Sequence, residues 1–285
     1  MRILIAADME GVTGVVVGDQ TDDKHPEYAR FRRLMTGDVN AAVRGALEAG
    51  AEEVIVSDGH GNNQNILIEE LNPRARLNTG SPRPFSMVQG VELGVEAALF
   101  VGYHARAGAE DAILSHTWSG RLAGVRLNGQ EVGETGLNAA VCGHFGVPVL
   151  MVSGDQTVCA EAAQLLGPVE TVVVKRARGR LSAECLPPEV SQQLIQEAAA
   201  RAVRRSRSGS IPRSPCRSGG TTCRWPNWAP CCRGHGESAR RRSRSPWRTC
   251  RPHTAPSGRR YWCRPGRLTA LPGGCYTGFG PTGCG

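Results

Sequence analysis

The stretch MRILIAADMEGVTGV, residues 1–15, combines a buried-strand pattern with two carboxylates directly behind it. Residues 3–7 are uniformly apolar and include β-branched side chains, which is typical of a central strand covered on both faces. Asp8 and Glu10 follow in a loop that contains two glycines. Because carboxylates are rarely buried without a partner, the pair predicts a bound cation, with an ordinary turn or helix cap as the alternative. Ligand types at other strand ends would decide between the two interpretations.

Strand and helix patterns alternate along the first 204 residues. Further strands are predicted at residues 53–57, 97–101, 147–152 and 169–174. Helices are predicted at residues 36–49, in the segment that opens at residue 132 and contains Glu134, around 161–166 and at 187–204. This alternation predicts an α/β fold, a layered sheet with helices on both faces.

Imidazole and carboxylate side chains follow several of these strands. Asp8 and Glu10 leave the first strand, His60 follows the second, and His104 follows the strand at 97–101. We expect these groups to converge, because ligands of open α/β sheets bind at the carboxyl ends of the strands. The donors suit zinc or a similar divalent ion and outnumber what one catalytic zinc needs, which predicts two metals that share a carboxylate. For each histidine alone, an ordinary loop position is the alternative.

Seven short strings follow one another in residues 1–204: DMEGVTG, SDGHGNN, PFSMVQG, LFVGYHARAG, LSHT, GETGLNA and VPVLMVSGD. In this order they resemble the zinc-dependent bacterial D-aminopeptidases, peptidases associated with dipeptide transport. The resemblance implies a metallo-aminopeptidase that releases N-terminal D-amino acids from short peptides. It also implies a ring-shaped homo-oligomer with an internal chamber.

The resemblance further implies specific site residues. It places two zinc ions on Asp8, Glu10, His60, His104 and Glu134, with Asp8 bridging the ions. His116 falls on the position of the family's catalytic histidine, which the family treats as the nucleophile. Its spacing alone leaves open whether it attacks, acts as a base or stabilises an oxyanion. Two other histidines, His25 and His144, are expected to be structural.

Charge and cysteine content divide the chain near residue 204. Residues 1–204 carry 18 basic and 25 acidic side chains, a net charge of −7, whereas residues 205–285 carry +15 from sixteen arginines and a single glutamate. Eight of the eleven cysteines lie in this C-terminal tail, which holds no valine and only four Ile, Leu or Phe residues. Such a segment cannot bury enough apolar area to offset the entropy of ordering, so we expect a disordered tail.

Three interpretations of the tail compete. The arginine cluster RRRSRS at 240–245, with tryptophans nearby, is compatible with nucleic-acid binding, and the cysteines raise the possibility of a zinc module. Yet no CxxC pair occurs, and the cysteine spacings fit no usual finger. Out-of-frame translation of a GC-rich gene fits the composition best, which predicts a catalytic domain at 1–204 that is incomplete at its C-terminus. We therefore do not expect nucleic acid as a partner.

The remaining sequence features concern location and function class. Only five apolar residues separate Arg2 from Asp8, far short of a signal peptide, and no run reaches the ~18 residues that cross a bilayer. We therefore expect a cytoplasmic enzyme without membrane partners. A different metal-dependent hydrolase, such as an amidase or phosphoesterase, would use similar ligands and is the alternative function.

Overall fold

The computed structural model describes residues 1–208, and a mixed α/β fold accounts for them. The strands are β1 (Arg2–Ala7), β2 (Glu53–Asp58), β3 (Ala75–Asn78), β4 (Ala97–Tyr103), β5 (Val125–Leu127), β6 (Gln130–Val132), β7 (Val149–Asp155), β8 (Glu170–Gly179) and β9 (Ser182–Cys185). The helices are α1 (Tyr28–Glu48), α2 (Glu134–His144), α3 (Gln156–Leu166) and α4 (Pro188–Arg207). None of these helices in residues 1–208 is long and apolar enough to cross a membrane.

Seven of the strands form one sheet in the order β3-β2-β1-β4-β7-β8-β9. All neighbouring pairs are parallel except β8 and β9, which form an antiparallel edge. Strand β1 lies inside the sheet and pairs with β2 and β4, in register from Ile3 onward. The carboxyl ends of these three strands therefore meet side by side, where ligands of α/β sheets bind. Strands β5 and β6 form a separate hairpin.

Two apolar cores cover the two faces of the sheet, as expected for a buried parallel sheet. Helices α1 and α4 pack on one face with Ile3, Ile5 and their neighbours. Helices α2 and α3 contribute to the core on the other face, with Leu4 and Phe100. Contact between α1 and α4 is close, since a Cβ atom added at Gly45 would lie 2.1 Å from the Gln196 carbonyl oxygen. The prediction of a layered α/β fold with helices on both faces is confirmed.

Helix α1 differs most from its predicted bounds, because it begins at Tyr28 rather than near residue 36. Its first turns bury Phe31 and Met35, but three arginines between and beside them obscure the apolar stripe in the sequence. Helix α3 also begins earlier than predicted, at Gln156. The Asp155 carboxylate caps it by accepting from the Thr157 N–H at 3.0 Å and the Val158 N–H at 2.9 Å.

The C-terminal end of the described chain lies close to the compositional boundary. Helix α4 continues to Arg207, three residues beyond position 204. Arg205 Nη1 lies 2.8 Å from Glu170 Oε1, and Arg207 Nη1 donates to the Ala49 carbonyl at 2.8 Å. The last turn of α4 is thus fastened to β8 and to the end of α1. The tail expected to be disordered lies, from residue 209 onward, outside the described residues.

Candidate active site

The predicted site residues come together at the carboxyl edge of the sheet. Asp8 and Glu10 follow β1, His60 follows β2, His104 follows β4, and Glu134 is the first residue of α2. Asp8 and His104 are each only 2% exposed, and Glu10 and Glu134 are also buried. Three carboxylates and two imidazoles thus share one small, largely dehydrated volume.

Two glycines allow the loop after β1 to lie directly against the end of β4. A Cβ atom at Gly11 would lie 1.9 Å from the Tyr103 carbonyl oxygen, and one at Gly102 would lie 2.2 Å from the Asp8 carbonyl oxygen. Gly102 also has a φ of 73°, in the left-handed region that side chains disfavour. The Gly11 N–H donates to the Gly102 carbonyl at 2.8 Å. This close approach brings Asp8 next to His104.

Asp8 lies between two halves of the cluster. Its Oδ1 atom is 3.4 Å from His60 Nδ1, and its Oδ2 atom is 3.4 Å from His104 Nε2. Glu10 Oε2 completes the first half at 2.9 Å from His60 Nδ1. Glu134 Oε1 completes the second half at 3.3 Å from His104 Nε2. Ligands about 2.0–2.1 Å from a tetrahedral zinc ion are about 3.3–3.4 Å apart, so most of these spacings match those of atoms that share an ion.

Backbone carbonyls orient both imidazoles. His60 Nε2 lies 3.0 Å from the Thr21 carbonyl oxygen, and His104 Nδ1 lies 3.0 Å from the Ala105 carbonyl oxygen. Each of these nitrogens donates its N–H to the carbonyl, an assignment that follows from the hydrogen-bond network. When the ring is neutral, its other nitrogen therefore has a lone pair that is directed at the carboxylates. This is the arrangement by which metal-binding histidines are usually held.

Two buried polar atoms without hydrogen-bond partners further support a divalent ion at this cluster. Asp8 Oδ2 and His104 Nε2 are both buried, and neither has a hydrogen-bond partner within residues 1–208. Buried polar atoms without partners are costly, and a cation between a carboxylate and an imidazole lone pair satisfies both at once. The ligand atoms of Asp8, Glu10 and His104 also lie within 4.8 Å of one another.

The acids and bases of the cluster shift one another's pKa values. Burial raises the pKa of the Asp8 carboxyl to about 7, and the charge of Glu10 adds to this effect. Burial acts to lower the pKa of His104, but the adjacent carboxylates of Glu134 and Asp8 outweigh it and raise the pKa to about 10. The charge of Glu10 similarly raises the pKa of His60 well above its usual value, against burial. Metal binding at such a cluster displaces protons, so it depends on pH.

His116 borders the second half of the cluster. Its ring stacks on that of His104, with centroids 4.0 Å apart, and its Nε2 atom lies 3.8 Å from Glu134 Oε1. His116 Nδ1 lies 2.7 Å from the Leu114 carbonyl and donates to it, which leaves Nε2 with a free lone pair. The ligand atoms of His104, His116 and Glu134 also lie within 4.8 Å of one another. Distance alone therefore permits His116 either to react or to bind a metal.

A cavity of about 270 Å³ opens onto the cluster. It is lined by Asp8, Glu10, Gly59, His60, Gly61, Asn63, Ser81, Ser86, Met87, His116, Trp118 and Glu134. The indole of Trp118 is 64% exposed, whereas its backbone N–H donates to Glu134 Oε1 at 2.7 Å. Trp118 has a φ of 62°, so its backbone is strained in the position that makes this hydrogen bond. The cavity can hold a small ligand beside the candidate metal ligands.

Several supporting groups carry no signal in the sequence. The carbonyls of Thr21, Ala105 and Leu114 orient the three histidines, and any residue type can supply a carbonyl. Arg180 is a further example, since its Nη1 donates to the Ser115 carbonyl at 2.6 Å, next to His116. Asp58 is a converse case, a residue that its place in the sequence makes a candidate ligand although the structure gives it another role. It ends strand β2, where a ligand would be expected. Its carboxylate instead accepts backbone N–H groups of the loop after β2, those of residues 65 and 66, at 2.6 and 2.7 Å.

Comparison with known proteins adds to this geometry. A sequence profile of the D-aminopeptidase family matches residues 1–219. The chain belongs to this D-aminopeptidase family. A D-aminopeptidase of Bacillus subtilis (strain 168) is 39% identical over 206 residues, which cover 71% of this chain and 74% of the relative. A solved structure, described as the Zn-dependent D-aminopeptidase DppA from Bacillus subtilis, a self-compartmentalizing protease, matches with a TM-score of 0.69 and 38% identity. That match covers 73% of this chain and 75% of DppA.

Membership of the D-aminopeptidase family makes the chain a peptidase, a hydrolase that acts on peptide bonds. The resemblance inferred from the seven strings is thereby confirmed, as is the prediction of an enzyme. The family match ends at residue 219, within the arginine-rich part of the sequence.

Proposed function

We propose that this D-aminopeptidase family member is a zinc aminopeptidase that removes N-terminal D-amino acids from short peptides. The observation that supports the proposal is the central position of Asp8, whose two oxygens lie 3.4 Å from His60 Nδ1 and from His104 Nε2. A carboxylate with one oxygen toward each of two imidazole ligands is the geometry expected of a bridge between two ions. The Zn-dependence stated for DppA supports zinc as the metal.

The proposed ligands divide into two sets that share Asp8. Glu10 and His60 would hold one zinc ion, and His104 and Glu134 would hold the other. A pair of zinc ions, once bound, supplies Lewis-acid polarisation of a carbonyl and a more acidic bound water. The protein contributes by holding the ligand side chains in fixed orientations. The carbonyls of Thr21 and Ala105 do this for the two histidines.

His116 is proposed as the catalytic residue beside this centre. Its Nε2 atom lies 3.8 Å from Glu134 Oε1, both residues line the cavity, and its Nδ1–H donates to the Leu114 carbonyl. A ring fixed in this tautomer can accept a proton at Nε2 or attack a carbonyl carbon with the same lone pair. Both roles need the same ring orientation, which stacking on His104 maintains.

The substrate and the assembly follow from the relatives rather than from the site alone. The cavity of about 270 Å³ has room for a dipeptide-sized ligand, which supports short peptides as substrates. The D-aminopeptidase description of both the family and the Bacillus subtilis relative supports D-amino acids at the N-terminus. DppA is described as self-compartmentalizing, which supports a homo-oligomeric assembly of this chain as well. We place the catalytic domain within residues 1–204, since all six site residues lie there.

The experiment compares substrates on the full-length chain. The zinc-loaded protein is assayed with D-Ala-D-Ala, L-Ala-L-Ala, D-alaninamide and a phosphomonoester, before and after treatment with a chelator. We expect cleavage of D-Ala-D-Ala that the chelator abolishes and that added zinc restores. Preference for L-Ala-L-Ala or for the phosphomonoester would contradict the proposal, as would activity that survives complete removal of metal.

A further inference from the structure

Lys175 is a buried cation that lies outside the cluster of candidate ligands. It belongs to β8 and is only 1% exposed. Its Nζ atom donates to three backbone carbonyls, those of Glu10, Val12 and Val15, with the Val12 bond at 3.0 Å. An ammonium group has three N–H donors and no acceptor. All three acceptors therefore come from the loop that carries Asp8 and Glu10.

This contact fastens one side of the loop, and β4 fastens the other. On the β4 side, the Gly11 N–H donates to the Gly102 carbonyl at 2.8 Å. On the other side, Lys175 belongs to β8, and the Thr13 hydroxyl donates to the carbonyl of Leu186, which follows β9. The loop is thus held between two strands of the sheet at successive residues. Its backbone has little freedom to move without breaking a buried hydrogen bond.

The carbonyl of Glu10 is the direct link between Lys175 and the candidate metal centre. The backbone oxygen of Glu10 accepts from Nζ, while its side-chain Oε2 lies 2.9 Å from His60 Nδ1. Because both groups belong to one residue, fixing the carbonyl direction restricts where the carboxylate can go. Residues that orient ligands in this indirect way strongly affect metal affinity.

Burying the ammonium is unfavourable unless nearby groups compensate for its lost hydration. The three carbonyls do so in part, and the acidic side chains of Asp38, Asp155 and Glu10 supply negative charge around it. Asp38 is a buried residue of α1, and Asp155 ends β7. Burial still lowers the pKa of Lys175 to about 8, so the ammonium form predominates at neutral pH.

We propose that Lys175 is a positioning residue, whose ammonium group holds residues 10–15 so that Asp8 and Glu10 are preorganised to bind zinc. This inference rests on the proposed function, since it takes Asp8 and Glu10 as zinc ligands. A purely stabilising role is the competing explanation for the same hydrogen bonds. The two differ in what they predict for zinc affinity.

The positioning role and the purely stabilising role predict different changes in zinc affinity when Lys175 is replaced. Removing a positive charge near a dication would, by Coulomb repulsion alone, increase the affinity for zinc. Loss of positioning would decrease it, because the ligands would have to be ordered at the moment of binding. A general loss of stability would change zinc affinity no more than an equally destabilising change elsewhere on β8.

The test uses Lys175→Met in the full-length chain, with Val172→Ala as the matched control. Val172 is a buried residue of the same strand, and its truncation lowers stability while Lys175 stays in place. Zinc affinity is measured by competition with a chelator of known affinity, and the unfolding midpoint of the metal-free protein is measured for each variant. We expect Lys175→Met to bind zinc about 10–100-fold more weakly than wild type, and Val172→Ala to stay within about 3-fold.

A second variant, Lys175→Gln, keeps the experiment decisive if Lys175→Met does not fold. Its amide offers two donors at most, so we expect an intermediate loss of zinc affinity. Unchanged or tighter zinc binding by a folded Lys175 variant would overturn the inference, as would an equal loss in Val172→Ala. If wild type itself binds no zinc, the proposed function fails and this inference fails with it. If wild type binds zinc and the Lys175 variants bind it equally well, only this inference fails.

Discussion

His104 Nε2 and Asp8 Oδ2 face each other at 3.4 Å, and neither atom has another hydrogen-bond partner among residues 1–208. In the neutral form of His104 the single N–H is on the opposite nitrogen, where it is directed at the Ala105 carbonyl. Two buried acceptors directed at each other are unfavourable unless a proton or a metal ion lies between them. This pair therefore links the protein's own hydrogen bonding to the proposed zinc centre.

His116→Ala should abolish turnover but leave zinc bound. The side chain lies beside the cluster but outside the five proposed ligands, and its Nε2 lone pair lies 3.8 Å from Glu134 Oε1. We expect kcat to fall by about 10²–10⁴-fold with unchanged zinc content. His25→Ala is the matched control, because His25 is partly exposed and contacts Asp19 at 3.7 Å and the Glu27 N–H at 3.3 Å, away from the cluster. Loss of zinc together with activity would make His116 a ligand, and near-normal kcat would make it structural.

Arg180→Met should lower kcat through the loop that carries His116. Arg180 Nη1 donates to the Ser115 carbonyl and, at 2.9 Å, to the Ser115 hydroxyl, so its loss frees the residue next to the catalytic position. We expect kcat to fall by about 10-fold or more, with zinc content unchanged. Arg178→Met is the control from the same hairpin, since Arg178 is exposed and pairs with Glu184. Equal kinetics for the two variants would show that Arg180 does not position the loop.

Asp38→Asn should change how stability depends on pH. Burial raises the pKa of the Asp38 carboxyl from 3.8 to about 7, against the opposing effects of the Thr13 backbone, Lys175 and Gln192. A raised pKa means that the folded protein holds the proton more tightly than the unfolded chain. The stabilising contribution is therefore complete below pH 3.8 and is lost as the pH rises through about 7. Asparagine mimics the neutral carboxyl at every pH.

Urea unfolding of the metal-free protein at pH 5 and pH 8 measures this effect. The free energy of unfolding of Asp38→Asn, relative to wild type, should rise by about 2 kcal/mol between the two pH values. Asp19→Asn serves as the control because the Asp19 side chain is 73% exposed. A difference between Asp38→Asn and wild type that stays constant across this range would contradict the raised pKa.

The sequence predicted the parts of the site that leave strands. Asp8, Glu10, His60 and His104 each follow an apolar strand, and parallel pairing of β1 with β2 and β4 is enough to bring them to one edge. Glu134 begins a helix after the β5–β6 hairpin, so the strand patterns alone gave no reason to place it at the same edge of the sheet as the other candidate ligands. Only the family resemblance singled it out.

Other features depend on contacts that a sequence pattern does not express. The carbonyls of Thr21, Ala105 and Leu114 orient histidines through the backbone, which every residue type possesses. In the sequence, Lys175 is an ordinary lysine near the end of a strand. Its burial is explained only by the folded loop, whose backbone carbonyls accept hydrogen bonds from its ammonium group. The early start of α1 was missed for a related reason, since arginine side chains flank the buried Phe31. In each case, contacts between residues distant in sequence determine the structure, and the local sequence pattern does not specify them.

Zinc stoichiometry of Asp8→Ala tests the central claim most directly. Full-length wild type and variant are loaded with zinc, freed of excess metal and analysed for zinc per folded chain, with folding checked by circular dichroism. If Asp8 bridges two ions, wild type should hold about two zinc ions per chain, and Asp8→Ala should lose affinity at both positions. A folded Asp8→Ala protein that retains the full zinc content of wild type would contradict the account.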